Sequence, residues 1–505
     1  MIRDLNALAG RVHDVVVVGG GIHGACIAWD AALRGLQVAL VERDDFGGGT
    51  SANSLRIVHG GLRYLARGDL PRMRESIRER STLLRIAPSL IEPLPVVVPT
   101  SGAGTQSRLA LAAVMALNDL CSLDRNRGLT PDHRLPRGRL LTLDACRRLF
   151  PAFPISGATG GALWYDALMR RPERLTLAFV RAAVARGAMV ANYCSMERVL
   201  TTGGAVCGLA VSDLVGGGTA EIPARSVVLA AGPWTGRLAG AEHAGLPHAL
   251  ALNLVVGRRL AEAAVGVRAP TGADQDPIVG GRRFIFLVPQ EETTLLGTWY
   301  APANGEQTDA LIRRGTRALL EEFRLACPAL AIGSADVVHC HWGWLPLKAG
   351  REPGRPDSLA DRPWIVDHGR AGGVRGMFSV EGVKYTTARR VAEDVVDRVV
   401  AAVAVRVDRC RTQDTRVDEA EVADLPLDAQ ARLAVRDEMA VRLADVILRR
   451  IGTGADRETV ETVETVATVA RVAGAELGWS AQRREAEIED VMRQIRTNGS
   501  SGSLA

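Results

Sequence analysis

At 505 residues the chain can bury a large core and should divide into two or three domains. Apolar residues make up 47% and aromatic ones only 4%, the balance of an alanine- and valine-rich α/β protein. Sixty-two basic residues, all arginine except Lys348 and Lys384, face 57 acidic ones, and the net charge of +5 suits an anionic substrate or membrane surface but is too small for a nucleic-acid surface. The eight cysteines contain no CxxC pair, which points to reduced thiols in a cytosolic protein. Residues 1–12 lack the apolar core of a secretory signal, and no apolar run approaches the roughly 20 residues of a membrane span. The expected chain is soluble or lies on a membrane without crossing it.

Val15–Val18 is an apolar, β-branched run and reads as a buried parallel strand. Gly19-x-Gly21-x-x-Gly24 follows directly, then helically spaced Ile27, Ala28, Ala31, Ala32 and Leu33, with Gly35 as the helix stop. A second strand, 37–41, ends at the acid Glu42, followed by Arg43. Together these form a complete dinucleotide-binding fingerprint. Gly19 allows the tight turn, Gly21 lets the backbone approach a pyrophosphate, and Gly24 lets helix pack on strand; the helix N-terminus meets the phosphates and Glu42 the ribose hydroxyls. To this point NAD and FAD are served equally. A small polar loop, Asp45-Phe46-Gly-Gly-Gly-Thr50-Ser51, then leads through Asn53 and Ser54 into IVHGGLRYL.

The stretch TSANSLRIVHGGLRYLA, beginning at Thr50, resembles the FAD-dependent glycerol-3-phosphate dehydrogenases, in which a TSS-x-SS-KLIHGGLRYLE segment runs under the flavin. His59, Gly60, Gly61, Leu62, Arg63 and Tyr64 match residue for residue, whereas Ala52 and Leu55 stand where the family usually has serine. The resemblance implies FAD, with Thr50, Ser51, Ser54, His59, Gly60, Gly61 and Leu62 joining Gly19, Gly21, Gly24, Glu42 and Arg43 around it.

Residues 66–87 set Arg67, Arg72, Arg74, Arg78, Arg80 and Arg85 among Leu70, Met73, Ile77, Leu83 and Leu84, the pattern of an amphipathic helix with a solvated face. Membrane-surface or partner binding is the other reading of that face. Pro93, Pro95 and Pro99 frame an extended segment. LALAAVMALNDL, Leu109 to Leu120, is expected to be a buried helix, with capping a pocket or touching lipid as the other readings, and 124–148 basic surface loops. Further on come a strand at 160–166, a helix at 172–186, a strand at 187–194 and a β-meander over 206–223. Val227-Val-Leu-Ala-Ala-Gly232-Pro-Trp234 reads as a buried strand ending in a small-residue turn of the kind that passes close to a flavin's dinucleotide half.

Residues 241–345 should form a second domain, with strands at 250–256, 283–288 and 294–297, a Pro/Gly/Asp-rich loop at 269–281 and a helix at 310–324. In the family this layer is an antiparallel sheet over the flavin. His339 and His341 share a strand face, but no third ligand lies at metal-site spacing, so no metal is expected. Gly343-Trp-Leu345-Pro-Leu347 aligns with a Gly-x-Arg-Pro-Leu motif whose arginine helps hold the substrate anion, and Leu345 replaces it. Losing a bidentate arginine weakens an anion site unless another cation moves in; Arg258, Arg259 and Arg282 are available, with Arg259 preferred. Glu381-Gly382-Val383-Lys384-Tyr385-Thr386-Thr387 opens a helix at 388–403 and resembles the family's Gly-Gly-Lys-x-Thr-Thr turn. That likeness implies a positive helix end against the isoalloxazine carbonyl, with Gly382, Lys384 and Thr386 at the cofactor and Val383 in place of a glycine.

The fold implied is an α/β, doubly wound FAD-binding domain of the glutathione-reductase and D-amino-acid-oxidase type, built from 12–90, 155–240 and 340–405. An antiparallel substrate layer comes from 91–154 and 241–339, a helical domain from 420–497, and 498–505 should be a disordered tail. The resemblance implies oxidation of sn-glycerol 3-phosphate, or a related secondary alcohol, to the ketone by hydride transfer to flavin N5. Electrons would pass to quinone or another acceptor. His59 is the candidate base, Arg63 and Lys384 the other catalytic residues, and Arg63, Tyr64, Arg259 and Lys384 the substrate-binding set. A flavin-dependent amino-acid or 2-hydroxy-acid oxidase is the alternative on the same fold, and a non-catalytic flavoprotein scaffold the alternative of another class. The expected location is cytoplasmic or peripheral on the inner face of the cell membrane; no nucleic-acid partner is expected, and a homodimer is left open.

Overall fold

The computed structural model describes residues 1–499 except 66–67, 155–156, 241–244, 270–277, 279–282, 304, 349–357, 418–421, 423–424 and 453–459. Arg67, Arg282 and nearly all of the 498–505 tail therefore lie outside the described residues.

Six strands form the first sheet, in the order Trp364–Asp367, Met377–Glu381, Val227–Leu229, Val15–Val18, Val38–Val41, Met189–Ala191. All neighbours are parallel except the edge pair Trp364–Asp367 and Met377–Glu381. Such strands are buried on both faces, and the alternation of side chains sorts them into two cores. Val15, Val17, Val38 and Leu40 pack under the helices Ile22–Leu33, Pro172–Val184 and Ala388–Val403, where Trp29 meets Phe179 at 5.1 Å between ring centroids. Val16, Val18, Ala39 and Val41 point the other way, onto a three-stranded sheet of Cys194–Thr202, Ala205–Asp213 and Thr219–Pro223.

The second sheet has nine strands and runs Val337–Pro346, His248–Val256, Thr294–Pro302, Phe284–Pro289, Ala264–Arg268, Ile91–Ser101, Ala158–Met169, Ile57–Val58, with Arg139–Leu141 also paired to Ala158–Met169. Its pairs are antiparallel except Ala264–Arg268 with Ile91–Ser101. The strand Ala158–Met169, read from sequence with the flavin domain, belongs to this sheet. The helix Thr308–Ala326 covers it through Leu311, Leu319 and Phe323.

Two local expectations fail. The stretch 124–148 carries the strand Arg139–Leu141 and most of the helix Leu143–Leu149 rather than loops alone. The helix Arg108–Cys121 forms, but only Met115 is buried, and Leu109 and Leu120 are 83% and 63% exposed. Helical periodicity finds an apolar face but cannot see whether anything covers it.

The C-terminal helices Leu427–Arg436, Val460–Glu476 and Ala481–Gly499 surround a wide π-helical stretch, Asp445–Ile451. A buried ionic junction fastens this layer to the first sheet. Arg449 and Arg450 reach Asp45 at 2.5 and 2.6 Å, Arg174 reaches Glu438 at 2.7 Å, and the Tyr193 hydroxyl donates to Asp445. Burial works to raise the Asp45 carboxyl, but the two guanidiniums outweigh it and hold it well below the usual carboxylate range.

Candidate functional site

The glycine turn has the geometry that a dinucleotide needs. Gly19 sits at φ +107°, where a side chain is strained, and a Cβ there would come within 2.6 Å of the Ala230 carbonyl oxygen. A Cβ on Gly24 would lie 1.8 Å from the Gly19 carbonyl oxygen, so only glycine allows this helix–strand contact. At Gly21 the only atom of the described residues that such a group would meet is the Ser51 hydroxyl, at 3.1 Å; the backbone faces an open cradle at the start of the helix. Ser51 Oγ accepts from the Ile22 N–H at 2.9 Å. Glu42 closes the neighbouring strand, its carboxylate accepting from the Gly20 and Asp44 N–H groups at 2.5 and 2.8 Å. Burial raises its carboxyl against those two bonds.

The 382–387 turn meets this cradle. A Cβ on Gly382 would fall 1.7 Å from His23 Nε2, which is buried without a hydrogen-bond partner among the described residues. A bare pyrophosphate cradle, an acid at the strand end and an orphaned imidazole nitrogen between them fit a bound dinucleotide. Thr386 is buried just before the helix Ala388–Val403, and Gly232 opens a single turn after the strand Val227–Leu229. Thr50 pins the loop to the second sheet, its hydroxyl accepting from Trp344 N–H at 3.2 Å while Gly343 leaves no room for a Cβ beside it. Ser54 Oγ accepts from Arg56 N–H at 3.1 Å, and Arg43 is exposed.

On the other side of the loop, Ile57–Val58 pairs with Ala158–Met169 and delivers His59 to Asp166. His59 Nδ1 lies 3.2 Å from Asp166 Oδ2, while Oδ1 accepts from the Gly60 N–H at 2.7 Å and Arg80 at 2.8 Å. The short helix Leu62–Leu65 then carries Arg63 and Tyr64. The buried Tyr64 phenol takes hydrogen bonds from Lys384 Nζ and from Arg63 at 3.3 Å. Lys384 Nζ also stands 4.2 Å from the Tyr64 ring centroid. Burial works to raise the Tyr64 hydroxyl, but Arg63 and Lys384 outweigh it and bring it down; burial likewise lowers Lys384. Among the described residues neither Arg63 nor Lys384 forms an ion pair with a carboxylate, so two cations meet on one phenol with charge left for an anion.

The strand Val337–Pro346 presents His339, His341, Gly343 and Leu345 on one face by alternation. The buried His341 approaches Asn53 Oδ1 through Nδ1 at 3.2 Å and Arg56 through Nε2 at 3.4 Å. Since the amide oxygen only accepts and the guanidinium only donates, His341 is the neutral Nδ1–H tautomer. Burial, His339 and Arg56 push it well below the usual imidazole range, consistent with that form.

The FAD dependent oxidoreductase family profile matches residues 14–398. The glycerol-3-phosphate dehydrogenase of Synechocystis sp. is 30% identical over 445 residues, covering 85% of this chain and 77% of that protein. Glycerol-3-phosphate dehydrogenase 1 of Mycobacterium tuberculosis is 34% identical over 422 residues, covering 81% and 77%. The chain belongs to the FAD-dependent glycerol-3-phosphate dehydrogenase family. FAD is its cofactor, and it is an oxidoreductase. The solved glycerol-3-phosphate dehydrogenase from Bacillus halodurans, complexed with FAD, shares the fold at a TM-score of 0.73 and 21% identity, covering 99% of this chain and 97% of that one. The L-alpha-glycerophosphate oxidase of Mycoplasma pneumoniae shares it more distantly, at TM-score 0.54 and 13% identity over 81% of this chain and 99% of that one.

Of the residues read from sequence, this family member brings Arg63, Tyr64 and Lys384 together, while His59, four residues before Arg63, is held by Asp166. Arg259 does not join them. Its guanidinium goes to Glu262 at 2.9 Å and to the carbonyls of Gln290 and Glu291. Leu345 is half-buried on the face that carries His341. Sequence reasoning missed Asp166 and Arg56. For Asp166 a signal was present: alternation places this acid on the same strand face as Trp164 and Leu168, where an unpaired charge is not tolerated. Arg56, at φ +64°, joins the Arg170 carbonyl, Gln290 and His341 through contacts that no local pattern reveals.

Proposed function

We propose that this protein oxidises the secondary hydroxyl of sn-glycerol 3-phosphate to the ketone, giving dihydroxyacetone phosphate. The observation that carries the reading is the meeting of Arg63 and Lys384 on the Tyr64 phenol, two cations without carboxylate partners among the described residues, with Arg63 four residues beyond a histidine whose Nε2 is open. The cations receive the phosphate, and Tyr64 between them fixes where they point. His59 takes the hydroxyl proton through Nε2, which has no hydrogen-bond partner among the described residues; its side chain is 47% exposed toward incoming substrate. Bound FAD would supply the acceptor for the hydride that leaves the carbinol carbon. Gly19, Gly21, Gly24, Glu42 and Ser51 hold its dinucleotide half, and the Gly382–Thr386 turn its flavin end.

The electron acceptor we favour is a quinone, reached from a membrane surface. Support comes from the helix Arg108–Cys121, whose Leu109, Leu117 and Leu120 are uncovered along one face, with Leu123 (74% exposed) just beyond it. Exposed Arg127, Arg134, Arg137 and Arg139 follow in the next segment. Apolar insertion beside arginine–headgroup attraction is the pattern of peripheral docking. No helix among the described residues is long and apolar enough to cross a membrane.

Anaerobic titration with glycerol 3-phosphate, glycerol, lactate and glycine tests the reading. Only glycerol 3-phosphate should bleach the flavin absorbance at one equivalent. Bleaching by glycine or lactate but not by the phosphate would establish the oxidase alternative instead.

A further inference from the structure

Several buried carboxylates in this fold are matched by guanidiniums that link one element to another: Glu79 by Arg389, Glu322 by Arg283, Glu438 by Arg174. Asp166 is different. Its Oδ1 is taken by Arg80 and the Gly60 N–H, and the remaining oxygen, Oδ2, faces His59 Nδ1 at 3.2 Å and Trp164 Nε1 at 3.4 Å. One end of this carboxylate is held by the fold and the other aims at the single half-exposed imidazole of the site. No other polar side chain among the described residues reaches His59; from the strand Phe284–Pro289 it meets only the Phe286 ring, at 5.9 Å.

The chemistry of the contact follows from which groups can donate. Burial works to raise the Asp166 carboxyl, but the His59 bond, Arg80 and the Gly60 N–H outweigh it, and the group is ionised. An ionised carboxylate only accepts, so the proton must sit on His59 Nδ1 and the lone pair on Nε2.

We propose that Asp166 is the positioning residue of the reaction: it fixes the tautomer and orientation of His59 and stabilises the imidazolium formed when the substrate's proton arrives. Arg80 and the Gly60 N–H in turn hold Asp166. This rests on the reading of His59 as the base. The step balances without moving a proton to Asp166. The substrate O–H bond breaks and its proton goes to Nε2; its electron pair becomes the second bond of the carbonyl as the C–H pair leaves as hydride to the oxidant, FAD. The Nδ1–H stays where it is.

The test compares Asp166→Asn and His59→Gln with the parent holoenzyme, using turnover and the imidazole NMR signals of protein labelled with ¹⁵N-histidine. The parent should show a downfield Nδ1–H resonance that His59→Gln removes. In Asp166→Asn that resonance should vanish, because the amide can donate to Nδ1 and the proton moves to Nε2. The asparagine variant should lose at least about a hundredfold in kcat with KM changed by less than about threefold. Rescue by Asp166→Glu, even in part, fits a carboxylate role. If Asp166→Asn leaves the resonance and kcat in place while His59→Gln abolishes turnover, the inference falls and the base assignment stands. If His59→Gln turns over normally, the base assignment itself fails and takes this inference with it. Should the single variant not fold with Arg80 left uncompensated, the pair Arg80→Gln and Arg80→Gln/Asp166→Asn makes the same comparison without the buried charge.

Discussion

Lys384 and Tyr64 meet through a hydrogen bond between ammonium and phenol, 320 residues apart in the chain and contributed by the 382–387 turn and the short helix Leu62–Leu65. The contact points the ammonium at the same rim as Arg63, so replacing Lys384 with methionine removes one of two charges from the anion site. A charge-assisted bond to a phosphate is worth about 1.5–3 kcal/mol, so KM for glycerol 3-phosphate should rise roughly ten- to a hundredfold. Tyr64→Phe keeps both charges and should raise KM less. Equal KM values in the parent and Lys384→Met would remove this lysine from the substrate site.

The Asp45 junction predicts a stability defect with a defined pH dependence. Asp45→Asn removes the carboxylate that Arg449 and Arg450 share, leaving Arg449 to Asp445 and Arg450 to the more distant Glu438, a loss of about 3 kcal/mol in denaturant unfolding. Because Asp45 opens the loop that leads to Ser51, flavin should dissociate at lower denaturant as well. The folded carboxyl titrates below the ordinary 3.8. Its contribution is therefore fully present above that value and is lost as pH falls through the folded-state pKa. The stability gap between parent and variant should be flat near neutrality and shrink only in acid; a gap that narrows between neutrality and mildly acidic pH would assign the effect to another group.

The leucine face makes a separable prediction. Leu109→Glu/Leu120→Glu should reduce binding to vesicles containing anionic lipid at least tenfold, since burying a leucine side chain is worth about 1.5–3 kcal/mol. Turnover with a water-soluble electron acceptor should be unchanged. Vesicle flotation that is the same for parent and variant would take this helix out of the membrane account.

How much of this was legible depended on how local each cause was. Gly19 and Gly24 are required by backbone geometry within a few residues, so the cradle could be read directly, as could the HGGLRY turn that carries His59 and Arg63. The alternation of Val15, Val16, Val17 and Val18 foretold two buried faces, though not that one would be covered by a β-sheet. The strand Ala158–Met169 follows no local rule in choosing its sheet: it lies in the second because Ile91–Ser101 is its partner. Arg450 finds Asp45 across 405 residues, and Asp166 finds His59 across 107. Pairings of that range depend on the assembled fold, and so does the exposure of Leu109.

Leu345 carries the sharpest prediction for substrate choice. It stands on the strand face of His341 and Gly343, where the family motif places an arginine, and no cation replaces it at that register position. Leu345→Arg should add a fork of donors to the anion site and lower KM for glycerol 3-phosphate about ten- to a hundredfold. Activity on uncharged glycerol should not change in parallel, because the added guanidinium acts on the phosphate. If the parent already has high affinity for glycerol 3-phosphate, another cation serves in place of the missing arginine. The geometry then favours Arg56 over Arg259. Arg259 is bound to Glu262 and two backbone carbonyls, whereas Arg56 contacts His341 on the Leu345 face and has no carboxylate partner among the described residues. In that case Arg56→Ala should raise KM at least tenfold while Arg259→Ala changes it little. A larger loss from Arg259→Ala would mean that the 258–262 turn moves onto the substrate when it binds.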